Sequence, residues 1–521
     1  MRSVETVLFL VVVATLVATS ARRLRVPAPS LLVVAGVVVG LLPGVPEIRV
    51  TPDVVSLVVL PPLLYAAGEE MSWRDLRRVW RPVTVLAVGL VLASAAAVGA
   101  VASLVAPLPT SMAFVLGTVL ASTDPVAVSA LGRRLSLPPK VQVLVQAESL
   151  FNDATSLVLF RVAVAVAVAG GAVSWGHAGG QFLVLAGGGL VIGGLVAGGL
   201  LLIRRRTQDP VLETVIALVT PYTAYVLAEA VHTSGVTAVV VASVLLGAQH
   251  ARLTTAHIRL QVGAVYQTVI FLLESVVFGL IGLQLPWLIR TLEGSDRNWP
   301  WQALAVTGTL IAVRVLWVFP LSVVAQLRRG ARRPAWQVPA VVSWAGARGV
   351  VPLAAALSIP LTTDGGTPLP QRNLVLVLAT AVIVTTLVVQ GFTLAPLVWL
   401  AGVVTKPDET RNEETSARLH LARASLAHLD QLSDLEAVPD VVVQRLRRNL
   451  TARVDRTRAR LNGSPPTDST ASAYRRLRRD LIAVETAALN QLYDGGEVND
   501  AVRRRIQRML DLEDAGLGDD A

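Results

Sequence analysis

Glu148-Ser149-Leu150-Phe151-Asn152-Asp153-Ala154-Thr155-Ser156 places two carboxylates and three hydroxyls in a segment otherwise built of Val, Leu, Ala and Phe. Charge in such surroundings is costly unless it faces a cavity or a partner, so it marks a functional position by default. On a helix, residues four apart share a face, which puts Glu148 above Asn152 and Ser149 above Asp153 on the adjacent face. Asp153 can then look into a cavity with Ser149 beside it, the geometry of a small cation site.

The surrounding chain is apolar enough to be membrane-embedded. Of its 521 residues 53% are hydrophobic and 16% charged, and the apolar character is concentrated in residues 1–402. A bilayer core of about 30 Å takes about 20 apolar residues per helix and requires every backbone group to be paired internally. The pattern predicts an all-α polytopic membrane protein with thirteen spans, near 4–20, 28–43, 52–68, 82–105, 111–131, 141–169, 181–203, 210–231, 234–249, 263–285, 301–326, 336–359 and 373–402. Met1–Ser20 is read as the first of them rather than a cleaved leader, because Arg22, Arg23 and Arg25 follow it directly.

Basic residues test this count, since cytoplasmic loops concentrate Lys and Arg. Alternate loops from the first hold Arg22/Arg23/Arg25, Arg74/Arg77/Arg78/Arg81, Arg133/Arg134/Lys140, Arg204/Arg205/Arg206, Arg252/Arg259 and Arg328/Arg329/Arg332/Arg333. The intervening loops hold only Arg49, Arg290, Arg297 and Arg372. The alternation predicts an outer N-terminus and a cytoplasmic C-terminus, in a bacterial inner (plasma) membrane. Residues 403–521 change character and read as a cytoplasmic helical tail that regulates or dimerises, with a linker at Asn462-Gly463-Ser464-Pro465-Pro466.

Charge and composition exclude several functions. The formal net charge is +10, but beyond residue 405 there are 19 Lys+Arg against 20 Asp+Glu, so the excess belongs to membrane loops rather than a nucleic-acid footprint. The chain has no cysteine, its histidines lack metal-ligand spacing, and no nucleophile motif stands out, so an enzyme is not expected and no cofactor is implied.

Further charges fall within spans. Asp124 precedes Pro125 in Ala121-Ser122-Thr123-Asp124-Pro125, where proline removes a donor and biases Asp124 away from α geometry. The bland reading is a capped proline kink; the sharper one is a broken helix whose freed carbonyls and half-helix end serve a small ion. Ser343-Trp344-Ala345-Gly346-Ala347-Arg348-Gly349-Val350-Val351-Pro352 reads as a second interrupted segment in the other half. Arg314 also lies mid-span, and Glu148 is the natural anion for either Arg314 or Arg348; Arg314 is preferred, which assigns Arg348 to the broken helix. Glu274 is another mid-span acid, whereas Glu213 and Glu229 fall near span ends, where interfacial solvation suffices. Burial disfavours a charged carboxylate while a bound cation favours it, so protons and a monovalent cation would compete for Asp153. With Glu148 neutralised and Asn152 uncharged, one acid carries the exchange and one proton for one cation is electrically neutral.

Pro61-Pro62-Leu63-Leu64-Tyr65-Ala66-Ala67-Gly68, Thr123-Asp124-Pro125, Glu148 through Asp153, Ala228-Glu229 with Ser234-Gly235, Phe278 through Leu283, and Gly346-Ala347-Arg348-Gly349 occur in this order. Through them residues 1–402 resemble a sodium/proton antiporter of the cation:proton antiporter-1 family, similar to bacterial and archaeal members and to animal sodium/hydrogen exchangers. The resemblance implies two six-helix inverted repeats with broken crossing helices, dimerisation and core subdomains, a homodimer, and elevator-type alternating access. It implies Asp153 as the shared cation and proton carrier, with Asp124, Ser149 and the Thr123 backbone helping to coordinate the ion, Asn152 supporting the crossing, and Glu148 paired to an arginine. The Asn152-Asp153 pair resembles the electroneutral branch. Glu274 stands where many bacterial members have Asn, and Ala347 where Leu is usual. Na+ is the preferred cation, with Li+ also carried and K+ selectivity as the alternative; a channel or sensor that kept the fold is a more distant one.

Overall fold

The computed structural model describes residues 12, 15–17, 19–21, 23, 27–42, 55–124, 137–169, 175–207, 209–253, 255–292, 298–330, 333–403, 407–435, 439–461, 469–495, 498 and 500–517. Most of the expected span 4–20 lies outside them, as do Arg22, Arg25, Arg49, Pro125, Arg133, Arg134, Arg297, Arg332 and the Asn462–Pro466 stretch. The chain divides into two compact units, Met1–Thr405 and Lys406–Ala521. Among the described residues the regular structure is helical, apart from one isolated antiparallel bridge between Thr362 and Pro368.

In the first unit the helices run α1 (Ala28–Leu41), α2 (Leu60–Glu69), α3 (Trp73–Val105), α4 (Thr110–Val119), α5 (Pro139–Val168), α6 (Trp175–Arg204) and α7 (Pro210–Ala230). They continue with α8 (Gly235–Leu253), α9 (Ala256–Arg290), α10 (Trp299–Arg328), α11 (Gln337–Trp344), α12 (Val350–Leu357) and α13 (Arg372–Ala401). Among the described residues, seven helices are long and apolar enough to cross a membrane: α3, α5, α6, α7, α9, α10 and α13. The shorter apolar helices are α1, α2, α4 and α8.

One expected loop is helix. Arg74, Arg77, Arg78 and Arg81 lie on the first turns of α3, which Ser72 caps by accepting the Asp75 amide at 3.4 Å. Leu76 and Val83 are buried and Val79 packs against the same core, so the helical spacing holds an apolar face under the arginines. Pro82 cannot donate to the ladder, and the turns widen to a π-type pattern over Val85–Leu90 just after it.

The centre of this unit is α13, on which every residue from Leu374 to Ile383 is buried, the mark of a helix apolar on all sides and enclosed by others. α1 and α9 approach backbone to backbone: a Cβ at Gly36 would collide with the Gly279 carbonyl, and one at Gly282 with the Val33 carbonyl. Small residues at such crossings let helices pack closely in lipid, where dispersion contacts replace the hydrophobic effect. The expected span 336–359 consists of two short helices, α11 and α12, separated by the non-helical Ala345–Gly349. α4 likewise gives way to non-helical Ser122, Thr123 and Asp124.

The second unit contains α14 (Pro407–Leu435), α15 (Asp440–Leu461), α16 (Ser469–Asp494) and α17 (Asp500–Gly516). Ile482 and Leu489 of α16 bury themselves against Leu510 of α17. Arg478 reinforces that pairing through Glu513 at 2.7 Å, and Arg447 links α15 to Asp430 of α14 at 2.6 Å.

Candidate cation site

Glu148, Ser149, Asn152, Asp153 and Ser156 are all buried along one side of α5. Four side-chain hydrogen bonds fasten them to the end of α4. Ser149 Oγ donates to the Thr123 carbonyl at 2.5 Å, and Asn152 Nδ2 donates to Thr123 Oγ1 at 2.7 Å. The Thr123 amide donates to Asn152 Oδ1 at 3.4 Å, and Ser156 Oγ to the Thr118 carbonyl at 2.9 Å. An unwound segment inside apolar surroundings must have its backbone groups satisfied by something other than helix; Asn152 Oδ1 does this for the Thr123 amide and Ser149 Oγ for its carbonyl, while Asn152 Nδ2 holds the Thr123 hydroxyl.

The second non-helical segment supplies the remaining partners. The Asp124 amide donates to the Ala347 carbonyl at 2.7 Å, so the two segments are joined backbone to backbone. Arg348 Nη1 donates to the carbonyls of Ser122 at 2.6 Å and Ala121 at 3.2 Å, and the Arg348 amide donates to Thr386 Oγ1 of α13 at 3.2 Å. A Cβ at Gly349 would fall on the Asp124 carboxylate, which makes glycine the residue that gives Asp124 its place.

Glu148 and Arg314 form a two-pronged pair, Nη1 to Oε1 at 2.5 Å and Nη2 to Oε2 at 3.0 Å, with both side chains almost fully buried. Arg314 also donates through Nε to the Val342 carbonyl at 3.1 Å and through Nη2 to Val342 at 3.0 Å and Ala345 at 3.4 Å. Those carbonyls belong to the last turn and cap of α11, where a helix leaves acceptors unpaired and favours positive charge. One guanidinium thus neutralises a buried carboxylate and caps a broken helix.

Asp153 is buried, its Oδ1 has no hydrogen-bond partner, and its electrostatic neighbours are Asp124, Ser122 and Arg348. Two of these neighbours are open as well, since Ser122 Oγ and Arg348 Nε are also buried without a hydrogen-bond partner. Oxygen from Asp153 and Asp124, with the hydroxyl of Ser149 and the carbonyl of Thr123, is the hard donor set that suits a small cation. Among the described residues no group of three His, Cys, Asp or Glu could hold a metal ion.

Other ion pairs are not visible in the sequence. Glu213, expected to be solvated at a span end, is instead buried with Arg204, Nε to Oε2 at 3.4 Å, so only Arg205 and Arg206 of that basic triplet are exposed. Glu229, expected to be solvated as well, pairs with Arg161 of α5 and accepts the Gly235 amide at 3.1 Å. Arg161 carries the same signal as Arg314, a cation amid apolar residues, in Leu159-Phe160-Arg161-Val162-Ala163. Glu274 is partly buried on α9.

Comparison with known proteins bears on this geometry. Residues 9–400 match the model of the family described as sodium/hydrogen exchanger, transmembrane. The chain belongs to the sodium/hydrogen exchanger family. Over 96% of its length this exchanger is 35% identical to an uncharacterized Na+/H+ exchanger of Mycobacterium tuberculosis, covering 93% of that protein. It is 32% identical to a sodium, potassium, lithium and rubidium/H+ antiporter of Bacillus subtilis, across 70% of this chain and 56% of the relative. The sodium proton antiporter MjNhaP1 of Methanocaldococcus jannaschii shares its fold, with a TM-score of 0.63 at 21% identity over 77% of this exchanger and 98% of that chain.

Proposed function

We propose that this exchanger moves Na+, and Li+ with it, against protons, with Asp153 as the site for which both compete. The observation that carries the reading is the buried Asp153 Oδ1, without a hydrogen-bond partner, beside a Glu148 whose charge Arg314 neutralises. A carboxylate left open in that way binds either a proton or a cation, since each removes the cost of burying its charge. Asp124, Ser149 and Thr123 complete the ion's oxygen shell; Asn152, Glu148, Arg314 and Arg348 hold the crossing in shape. With one open acid, one cation exchanges for one proton and the cycle is electroneutral.

The same reading extends to the scaffold. Thirteen spans in two inverted repeats cross the bacterial inner membrane with the N-terminus outside, in keeping with the alternating basic loops. The α4–α5–α12 core moves against a dimerisation part of a homodimer as an elevator, and residues 403–521 form a cytoplasmic regulatory or dimerising tail. The name of the Bacillus relative favours a second reading in which K+ is carried too.

Dequenching of a pH-sensitive dye in everted vesicles on adding Na+, Li+ or K+ tests this, with Asp153→Asn beside wild type. The expected result is a cation-dependent signal in wild type and none in the variant. Exchange that persists in Asp153→Asn would sink the assignment, and an exchange equilibrium that shifts with an imposed membrane potential would overturn the one-for-one stoichiometry.

A further inference from the structure

Asp153, Leu157, Arg161, Val164 and Val168 follow one another along α5 at the three-to-four-residue spacing that keeps side chains on one face. From Leu157 onward this stripe lines a cavity of about 510 Å³, whose other walls include Leu60, Tyr225, Ser234 and Ser358. At a rise of 1.5 Å per residue the cavity begins about 6 Å along the axis from Asp153, and Arg161 follows at about 12 Å. Its far end is marked by Asp364, an exposed carboxylate whose amide donates to the Val168 carbonyl at 3.4 Å. The cavity leads from an exposed acid on the expected outer side toward the open carboxylate of Asp153.

A fixed arginine in the wall of such a route repels a cation. Arg161 is that arginine, one third exposed, and the equally exposed Glu229 holds it through Nη2 while Nη1 donates to the Thr233 carbonyl at 3.3 Å. Glu229 is itself fixed: the Gly235 amide donates to Oε1, and a Cβ at Gly235 would stand 2.9 Å from that oxygen. The pair also ties α5 to the α7–α8 turn. We infer that Glu229 is a positioning residue for cation entry: by neutralising Arg161 it sets the charge of the passage between Asp364 and Asp153. The inference rests on the reading of Asp153 as the transported ion's site.

Removing either member exposes the other's charge, and the two variants act in opposite directions. One unit charge about 12 Å from the cation, in a partly aqueous passage, changes apparent affinity on the order of 3–10-fold. Glu229→Gln is expected to raise the KM for Na+ presented at the cavity mouth, Arg161→Gln to lower it, and the double variant to return near wild type, with the KM at the opposite face unchanged. Vesicles of both orientations separate the two faces. A merely structural pair would shift both single variants the same way.

Because the chain has no cysteine, Ser358→Cys gives the cavity a unique thiol for a second measurement independent of transport. The ratio of its labelling rates by a cationic and an anionic methanethiosulfonate is expected to fall several-fold with Glu229→Gln and to rise with Arg161→Gln. Ratios unmoved by either variant, or moved alike by both, overturn the inference. If exchange is missing in wild type or survives Asp153→Asn, the Asp153 reading fails, while the thiol ratio still decides the charge of the passage.

Discussion

Replacing Arg314 with alanine should cost the exchanger far more in stability than in ion affinity. The substitution strands Glu148 without its buried partner, and breaking such a pair from one side costs about 3–5 kcal/mol. It also removes the donors of the Val342 and Ala345 carbonyls at the end of α11, each orphaned buried acceptor adding about 1–3 kcal/mol. These losses share one guanidinium and do not add in full, so about 5 kcal/mol is expected. Heating detergent-solubilised protein and following the monodisperse fraction measures this as a rate-type stability, with a lowered midpoint on the order of 10 °C. Arg314→Met combined with Glu148→Gln removes the stranded charge and is expected to recover about half of the loss. An Arg314→Ala protein that keeps its thermal midpoint but loses Na+ affinity would reject the structural assignment, as would a double variant less stable than the single one.

Gly349→Ala places a methyl on the Asp124 carboxylate; displacing that group is expected to raise the KM for Na+ at least about tenfold, with a stability loss of about 1–3 kcal/mol for overpacking. A wild-type KM in this variant would show that Asp124 does not serve the ion. Arg204→Ala, which breaks a buried ion pair by removing its cation, is expected to lower stability by about 3–5 kcal/mol and to be relieved by a second change, Glu213→Gln; thermal midpoints of the three proteins check it. In the second unit, the hydrogen bond from Arg478 holds the Glu513 carboxyl below its ordinary value. Its contribution is therefore complete above the unfolded carboxylate range and is lost as pH falls through the folded value, so amide protection in α16 and α17, taken relative to the intrinsic exchange rate at each pH, is expected to fall on acidification, and Glu513→Gln to remove that part of the pH dependence.

Much of the site announces itself in the sequence because lipid makes charge conspicuous. Asp124 before Pro125, Arg348 between two glycines, and Glu148 with Asp153 within six residues all stand out against Val, Leu and Ala. What sequence does not show is which charge meets which. Glu148 and Arg314 are 166 positions apart, Arg161 and Glu229 are 68, and neither separation has a periodicity to betray it. Charge near a span end was equally ambiguous: Arg204 and Arg205 are neighbours, yet one is buried in an ion pair and the other exposed. The arginines of α3 mislead for the opposite reason. Four of them between Arg74 and Arg81 suggest a solvated loop, although Leu76, Val79 and Val83 beneath them already carry a helical period.

The joining of the two unwound segments has a consequence for how the protein is made. The carbonyls of Ala121 and Ser122 accept from Arg348, and the Asp124 amide donates to Ala347, so the first break depends on a stretch synthesised more than 220 residues later. At about 5–20 residues per second, a ribosome leaves those groups without their final partners for on the order of 10–45 seconds. During that interval the nascent N-terminal half sits in the bilayer with an open polar gap. The interval ends when Ala347 and Arg348 arrive, which makes α11–α12 the closing piece of the assembly and the N-terminal half a client of whatever holds unfinished membrane proteins until their last spans emerge.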